Sequence, residues 1–428
     1  QTGRRPDKTK VYAFTHHFRE VGPDWTSFPG HFLKHGYDTH GIGKTYHPEL
    51  PPIWDRVLSF SGGNDTSSYF PYNPADYQPL VSNTTCISTQ KGTGCPSNNP
   101  LHRFADVQFA EKASSKLSRI ANGSSPFALF LGFHLPHESW ITPQAYWDLY
   151  NDSDIALATH PTAPTDATPV ALCSGPTCLP KCGFIDASGQ RHDYQAGVDY
   201  TPFKPLPGPM QAHMRHAYYS AISFMDAQLG AVLDALEAAG VDKNTTIIFT
   251  ADHGYSLGEH GMWLKRENFE TTTRVPLVIS DPDYPMSWGK TTTHFAELVD
   301  LYKTAADLVG APEPEAGVQG SSLADIIRNP GTAVSKPFAF SQYPRCPTNT
   351  SDPWFDNPCN GGMDSPRRNP NETFMGYTIR SDDWRYVGWY GWDLAGQAAD
   401  VTKLHAEELY NHTGNVVAGN FDSWENEN

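Results

Sequence analysis

The chain has 428 residues, with 31 Lys+Arg against 47 Asp+Glu and a formal net charge of −16. At 38% hydrophobic and 12% aromatic it can bury the cores of roughly two or three domains, or of one large α/β unit with an appendage; a disulfide miniprotein and a disordered chain are excluded. The acidic balance argues against sequence-independent nucleic-acid binding, and no apolar run reaches the roughly 20 residues that a membrane helix needs.

In chain order, Gln1 to Lys10 is polar and basic, with no signal peptide visible. Asp24 to His35 predicts a short helix with Asp24, Thr26 or Ser27 as cap, and Tyr37 to Ile42 a strand running into Gly43 and Lys44. Pro48 to His102 reads as loop, Phe104 to Arg119 as helix, and Phe127 to Phe133 as a buried strand. Thr142 to Pro209 is irregular and Pro-rich. Met210 to Ala239 repeats apolar residues at spacings of three and four, which predicts a helix ending at Gly240. Strands follow at 245–251 and 275–280, and a helix at 295–308. Residues 346–372 read as a linker. Phe374 to Arg380 and Trp384 to Tyr390 alternate like an antiparallel pair turning at Ser381 to Asp383. Alternating strands and helices imply an α/β fold with a large, mainly parallel sheet flanked by helices. The division expected is 1–345 as catalytic domain, 346–372 as linker and 373–428 as a small C-terminal α+β subdomain.

Eight N-x-S/T sequons, at Asn64, Asn83, Asn122, Asn151, Asn244, Asn349, Asn371 and Asn411, favour a glycoprotein of the secretory route, secreted or lysosomal. Among the seven cysteines, Cys86/Cys95 and Cys346/Cys359 bracket short loops and read as local disulfides. Cys173, Cys178 and Cys182 leave one odd thiol, and their pairing stays open.

Polar groups gather where the strands end. Gly41 to Pro48 (GIGKTYHP) puts Lys44 and His47 after one strand. Leu131 to His137 (LGFHLPH) puts His134 and His137 after the most apolar one. Phe249 to Lys265 (FTADHGYSLGEHGMWLK) puts Asp252, His253 and Lys265 after a third. Lysines neutralise oxygens, a carboxylate can hold a hard cation and an imidazole moves protons, so the inventory suits a tetrahedral anionic substrate. Gly43-Lys44-Thr45 lacks the glycine spacing of a phosphate-binding loop.

These three segments, together with Thr273 to Leu277 (TRVPL), Ser341 to Arg345 (SQYPR) and Met375 to Arg380 (MGYTIR), resemble in order the formylglycine-dependent sulfatases of the alkaline phosphatase superfamily, in their iduronate-type branch. The resemblance implies hydrolysis of sulfate esters of sugars or polysaccharides. It implies Lys44 and Lys265 on the sulfate oxygens, His137 serving the leaving alkoxide and binding substrate, and His47 taking a proton from the geminal diol. It also implies a divalent cation, usually calcium, at Asp252, with His253 either a ligand or a near neighbour. A formylglycine-generating enzyme is the implied partner of the full-length form. None of the seven cysteines begins the C-x-P-S-R-x-x-x-L-T-G-R motif, whereas Thr2-Gly3-Arg4 fits its last three positions. The expectation is therefore a chain that starts inside that motif, is inactive as it stands, and comes from a longer sulfatase. The alternative reading is a glycoprotein that kept the fold for binding and lost catalysis. A phosphatase or phosphodiesterase of the same superfamily ranks lower, since only one late Asp-His pair is present.

Overall fold

The computed structural model describes residues 1–12, 16–45, 101, 104–138, 140–173, 178–180, 200–331, 333, 336–345, 373–393 and 395–413, and the backbone at 95–97, 183–185 and 191–193. His47, Cys86, Cys182, Cys346 and Cys359 lie outside these residues, as does the 346–372 segment.

Helices are α1 (Pro6–Thr9), α2 (Phe28–Lys34), α3 (Ala105–Ile120), α4 (Gln144–Trp147), α5 (Gly208–Ala238), α6 (Glu270–Thr273), α7 (Leu301–Leu308) and α8 (Ala324–Arg328). Strands are β1 (Asp38–Gly43), β2 (Cys95–Ser97), β3 (Phe127–Gly132), β4 (Ile141–Pro143), β5 (Gly183–Ile185), β6 (Arg191–Asp193), β7 (Ile247–Thr250), β8 (Ser256–Leu257), β9 (Trp263–Leu264), β10 (Leu277–Ser280), β11 (Ala339–Arg345), β12 (Phe374–Arg380), β13 (Trp384–Asp393) and β14 (Ala398–Asn411).

The α/β character holds. Among the described residues the strands form short paired sets: β1 with β3 and β2 with β4 in parallel, β7 with β10 antiparallel. The Phe127 strand, read from its composition as buried, is only partly so along its whole length. Its one described ladder partner is β1, and an apolar strand bonded along one edge keeps its other edge less covered.

Helix α5 explains how the strand ends are held level. Pro207 and Pro209 start it without losing a needed N–H, and Gly240, at φ +71°, stops it where any L residue would be strained. Its N-terminal half buries Met210, Met214, Ala217 and Ala221 against Trp140, Met262, Trp263 and Phe269. Its C-terminal half sends Val232 and Leu236 into a second core with Ile42, Phe109, Ala113 and Leu117, against which β3 packs Leu129 and Leu131. Ser27 caps α2, accepting from Gly30 N–H at 3.2 Å.

The four-stranded antiparallel sheet runs β11-β12-β13-β14, and the predicted turn at 381–383 joins β12 to β13. Its first strand comes from before the 346–372 segment. Trp389 is fully buried with its Nε1 donating to Glu408 at 2.7 Å, so it is a core residue, whereas Trp384 is exposed. Cys173 and Cys178 form a disulfide. The described sequon residues Asn122, Asn151, Asn244 and Asn411 are all exposed.

Candidate active site

Three strand ends converge. β1 and β3 pair in register as far as Gly43 and Gly132. A Cβ on Gly132 would stand 2.2 Å from the Lys44 carbonyl oxygen, and one on Gly43 would stand 2.1 Å from that of Gly132. Two glycines are thus what let the strand ends touch, and Lys44 N–H donates to the Gly132 carbonyl at 2.6 Å. Lys44 is thereby set beside the turn that carries His134 and His137.

That turn is fixed from below by Asp106 of α3. Its buried carboxylate accepts the His134 and Leu135 N–H groups at 2.7 and 3.0 Å. Burial pushes its carboxyl up to about 6, against the pull of those two hydrogen bonds. His137 N–H closes the turn onto the His134 carbonyl at 3.0 Å, the two rings lie 5.0 Å apart, and the intervening Leu135–Pro136 bond is cis. Trp140, fully buried, donates Nε1 to the Pro136 carbonyl at 2.7 Å.

The third end follows β7. Gly254 allows it to pass α6 closely, since a Cβ there would stand 2.1 Å from the Thr271 carbonyl. Asp252 Oδ2 accepts from Lys44 Nζ at 3.0 Å, and its Oδ1 lies 3.6 Å from His253 Nε2. The chain then folds back through β8 and β9, which bury Leu257, Trp263 and Leu264, and leaves Lys265 close enough to Lys44, Asp252 and Glu138 to feel their charges.

Electrostatics tie the six groups together. Burial, with Lys44 close by, holds the Lys265 ammonium down to about 8. Burial, then the charges of Lys44 and Lys265, lowers His134 to about 4. Burial, then Lys265, lowers His137 to about 3. His253 is lowered by burial and by Lys265. Partial burial pushes the Asp252 carboxyl up, an effect limited by its 64% side-chain exposure. His253 and Lys44 outweigh it and bring the group down to about 2. The cleft is thus short of negative charge and ready for an anion. His137 Nδ1 lies 2.5 Å from the Glu138 carbonyl, to which it donates. The neutral ring therefore presents a bare Nε2, an acceptor, toward other partners.

Lys44, His137, Asp252, His253 and Lys265, all anticipated from the strand-end motifs, are brought together, while His47 lies outside the described residues. Asp106 carried no signal in the sequence, because a helix aspartate twenty-eight residues before its partners looks like any surface carboxylate. A metal finds only part of a site here. Asp252 and His253 offer one carboxylate and one imidazole, a hard divalent cation takes about six to eight oxygens, and no group of three ligating side chains occurs among the described residues. The pair does not fit a cation by itself.

A family profile described as Sulfatase matches residues 1–311. Iduronate 2-sulfatase of Mus musculus is 32% identical over 96% of this chain and 78% of its own length, and that of Homo sapiens is 30% identical with the same coverage. Among solved structures, the phosphonate monoester hydrolase of Silicibacter pomeroyi superposes with a TM-score of 0.63 at 18% identity, covering 100% of this chain and 79% of that one; the likeness is one of fold.

Proposed function

The chain belongs to the sulfatase family, and from that premise we propose that its sulfuric ester hydrolase chemistry is directed at sulfated sugars through the cleft formed by Lys44, His137 and Lys265. The observation that carries this reading is the meeting of two lysines and two histidines, drawn from three separate strand ends, beside one acidic group.

Sulfatases generally use a metal ion and a formylglycine, which supply charge neutralisation and the nucleophile. This chain's residues supply the rest. Lys44 and Lys265 are assigned to the sulfate oxygens, each as a point charge with three donors. Burial and Lys265 oppose a charge on His137 and hold the ring neutral. A bound sulfate offsets Lys265 and lets Nε2 take up a proton. That places on His137 the proton a leaving alkoxide needs, because an alkoxide departs poorly without one. Asp252 is assigned to calcium as one ligand of a larger set, with His253 at its flank. His47 keeps its assigned proton-accepting role as a proposal. A secreted or lysosomal location is supported by the exposed sequons and the Cys173–Cys178 disulfide. A formylglycine-generating enzyme is the partner this chemistry requires. No described helix is long and apolar enough to cross a membrane.

The test is sulfate release by the protein made from its complete gene in a formylglycine-producing host. Iduronate 2-sulfate disaccharides, sulfated glucosamine and matched aryl sulfate and phosphate esters are the substrates. Faster turnover of sulfate than of phosphate esters, lost in Lys265→Ala, is the expected result; preference for the phosphate esters would refute the reading.

A further inference from the structure

Lys265 follows a strained residue. Leu264 is buried, 5% exposed, and holds φ +70°, a conformation that strains a bulky L residue. Such a turn persists only where its surroundings over-determine it. Leu264 itself packs in the core with Trp140, Met262 and Phe269, and the main chain just after Lys265 is held by the C-terminal sheet. Arg345 on β11 is 0% exposed. Its Nη1 donates to the Arg266 carbonyl at 2.5 Å, its Nε to that of Val170 at 2.9 Å and its Nη2 to that of Ala171 at 2.9 Å. A guanidinium buried against main-chain carbonyls is costly to desolvate, and a well-packed apolar side chain generally serves stability as well. On β13, Arg385 donates Nη1 to the Asn268 carbonyl at 2.5 Å and lies over the rings of Tyr410 and Phe269 at 4.7 and 5.2 Å. Asn268 Nδ2 returns to the Gly376 carbonyl at 3.2 Å.

We propose that Arg345 is a positioning residue for Lys265: by fixing the Arg266 carbonyl it sets the direction in which the preceding lysine enters the cleft. Arg385 and Asn268 complete the clamp. The C-terminal sheet thus takes part in the site without lending it a catalytic residue. This rests on the reading of Lys265 as a sulfate-binding group.

The experiment is calorimetric titration of inorganic sulfate into the protein and into Arg345→Lys, Asn268→Ala, Lys265→Ala and Leu236→Ala. Leu236 is buried in the second core, with Ile42, Phe109 and Leu117, so its truncation lowers stability without touching the clamp. Lys265→Ala is expected to weaken sulfate about tenfold or more. Arg345→Lys and Asn268→Ala are expected to weaken it about three- to tenfold, less than Lys265→Ala because they displace the lysine rather than remove it. Leu236→Ala is expected to bind as the parent does. Should Arg345→Lys fail to fold, Asn268→Ala carries the comparison. Parent-like binding by the clamp variants, or equal weakening by Leu236→Ala, would overturn the proposal. Parent-like binding by Lys265→Ala would instead remove the sulfate site itself, and the clamp with it.

Discussion

Lys44 and Asp252 stand 208 residues apart in the chain and 3.0 Å apart in the fold, Nζ to Oδ2. Asp252 has 64% of its side chain open, so the pair itself contributes less than about 1 kcal/mol to stability. Its meaning is positional: it locks the end of β1 to the end of β7 across the cleft.

Lys44→Ala and Lys265→Ala are each expected to weaken inorganic sulfate binding by about tenfold or more, since a hydrogen bond to a charged group contributes about 1.5–3 kcal/mol. The double variant is expected to fall short of the sum, because both lysines address one anion. Titration calorimetry reads all three. Strict additivity would mean that the lysines serve separate sites.

Sulfate affinity is expected to rise as pH falls from about 8.5 to 5. Burial and the neighbouring charges hold Lys265 at about 8 and His134 and His137 at about 4 and 3. A bound anion raises all three, so binding takes up protons and acid favours it. In the absence of sulfate acid acts the other way on stability: below pH 6.5 the unfolded chain protonates both histidines and the folded one does not, so the fold loses stability as pH falls, through about 4 for His134 and about 3 for His137. Melting temperatures with and without sulfate at pH 5 and 7.5 check both signs. A larger sulfate shift at pH 7.5 than at pH 5 would contradict the linkage.

Asp106→Ala removes the acceptor of both the His134 and Leu135 N–H groups and is expected to cost about 2–4 kcal/mol. Asp106 also titrates. Its folded value of about 6 lies above the ordinary 3.8, so it adds stability that is complete below the ordinary value and is lost as pH rises through about 6. Asp106→Asn is therefore expected to trail the parent by more at pH 4.5 than at pH 7.5. Denaturant melts at the two pH values measure this, and an equal gap at both would refute the assignment.

Gly254→Ala is expected to be strongly destabilising, because the new Cβ meets the Thr271 carbonyl at 2.1 Å and displaces Asp252 with it. Gly230→Ala is the control: it sits within α5 with nothing within 4 Å, where alanine is the better helix former by about 1 kcal/mol. Thermal melts rank the pair, and a reversed order would be a contradiction.

The chemistry of the site was legible because its residues follow strands at short range: Lys44 after β1, His137 after β3, Asp252 after β7. The helix over Gly208–Ala238 was legible from its periodicity and its glycine stop. What holds these parts in place was not. Asp106, Arg345 and Arg385 act through main-chain carbonyls and amides far away in sequence, and a hydrogen bond to backbone leaves no role to read from residue types, even for Arg345, which ends the SQYPR motif. The partial exposure of β3 was missed for a related reason: composition reports how apolar a strand is, not how many of its edges are paired. β14 escaped notice because its polar, exposed run lacks the alternation of a half-buried strand.

A structure of the protein with inorganic sulfate bound tests the site most directly. The anion is expected with oxygens within hydrogen-bonding distance of both Lys44 Nζ and Lys265 Nζ, and His137 Nε2 facing a third oxygen. Sulfate that avoids this cleft, or that touches one lysine while the other points away, would contradict the account.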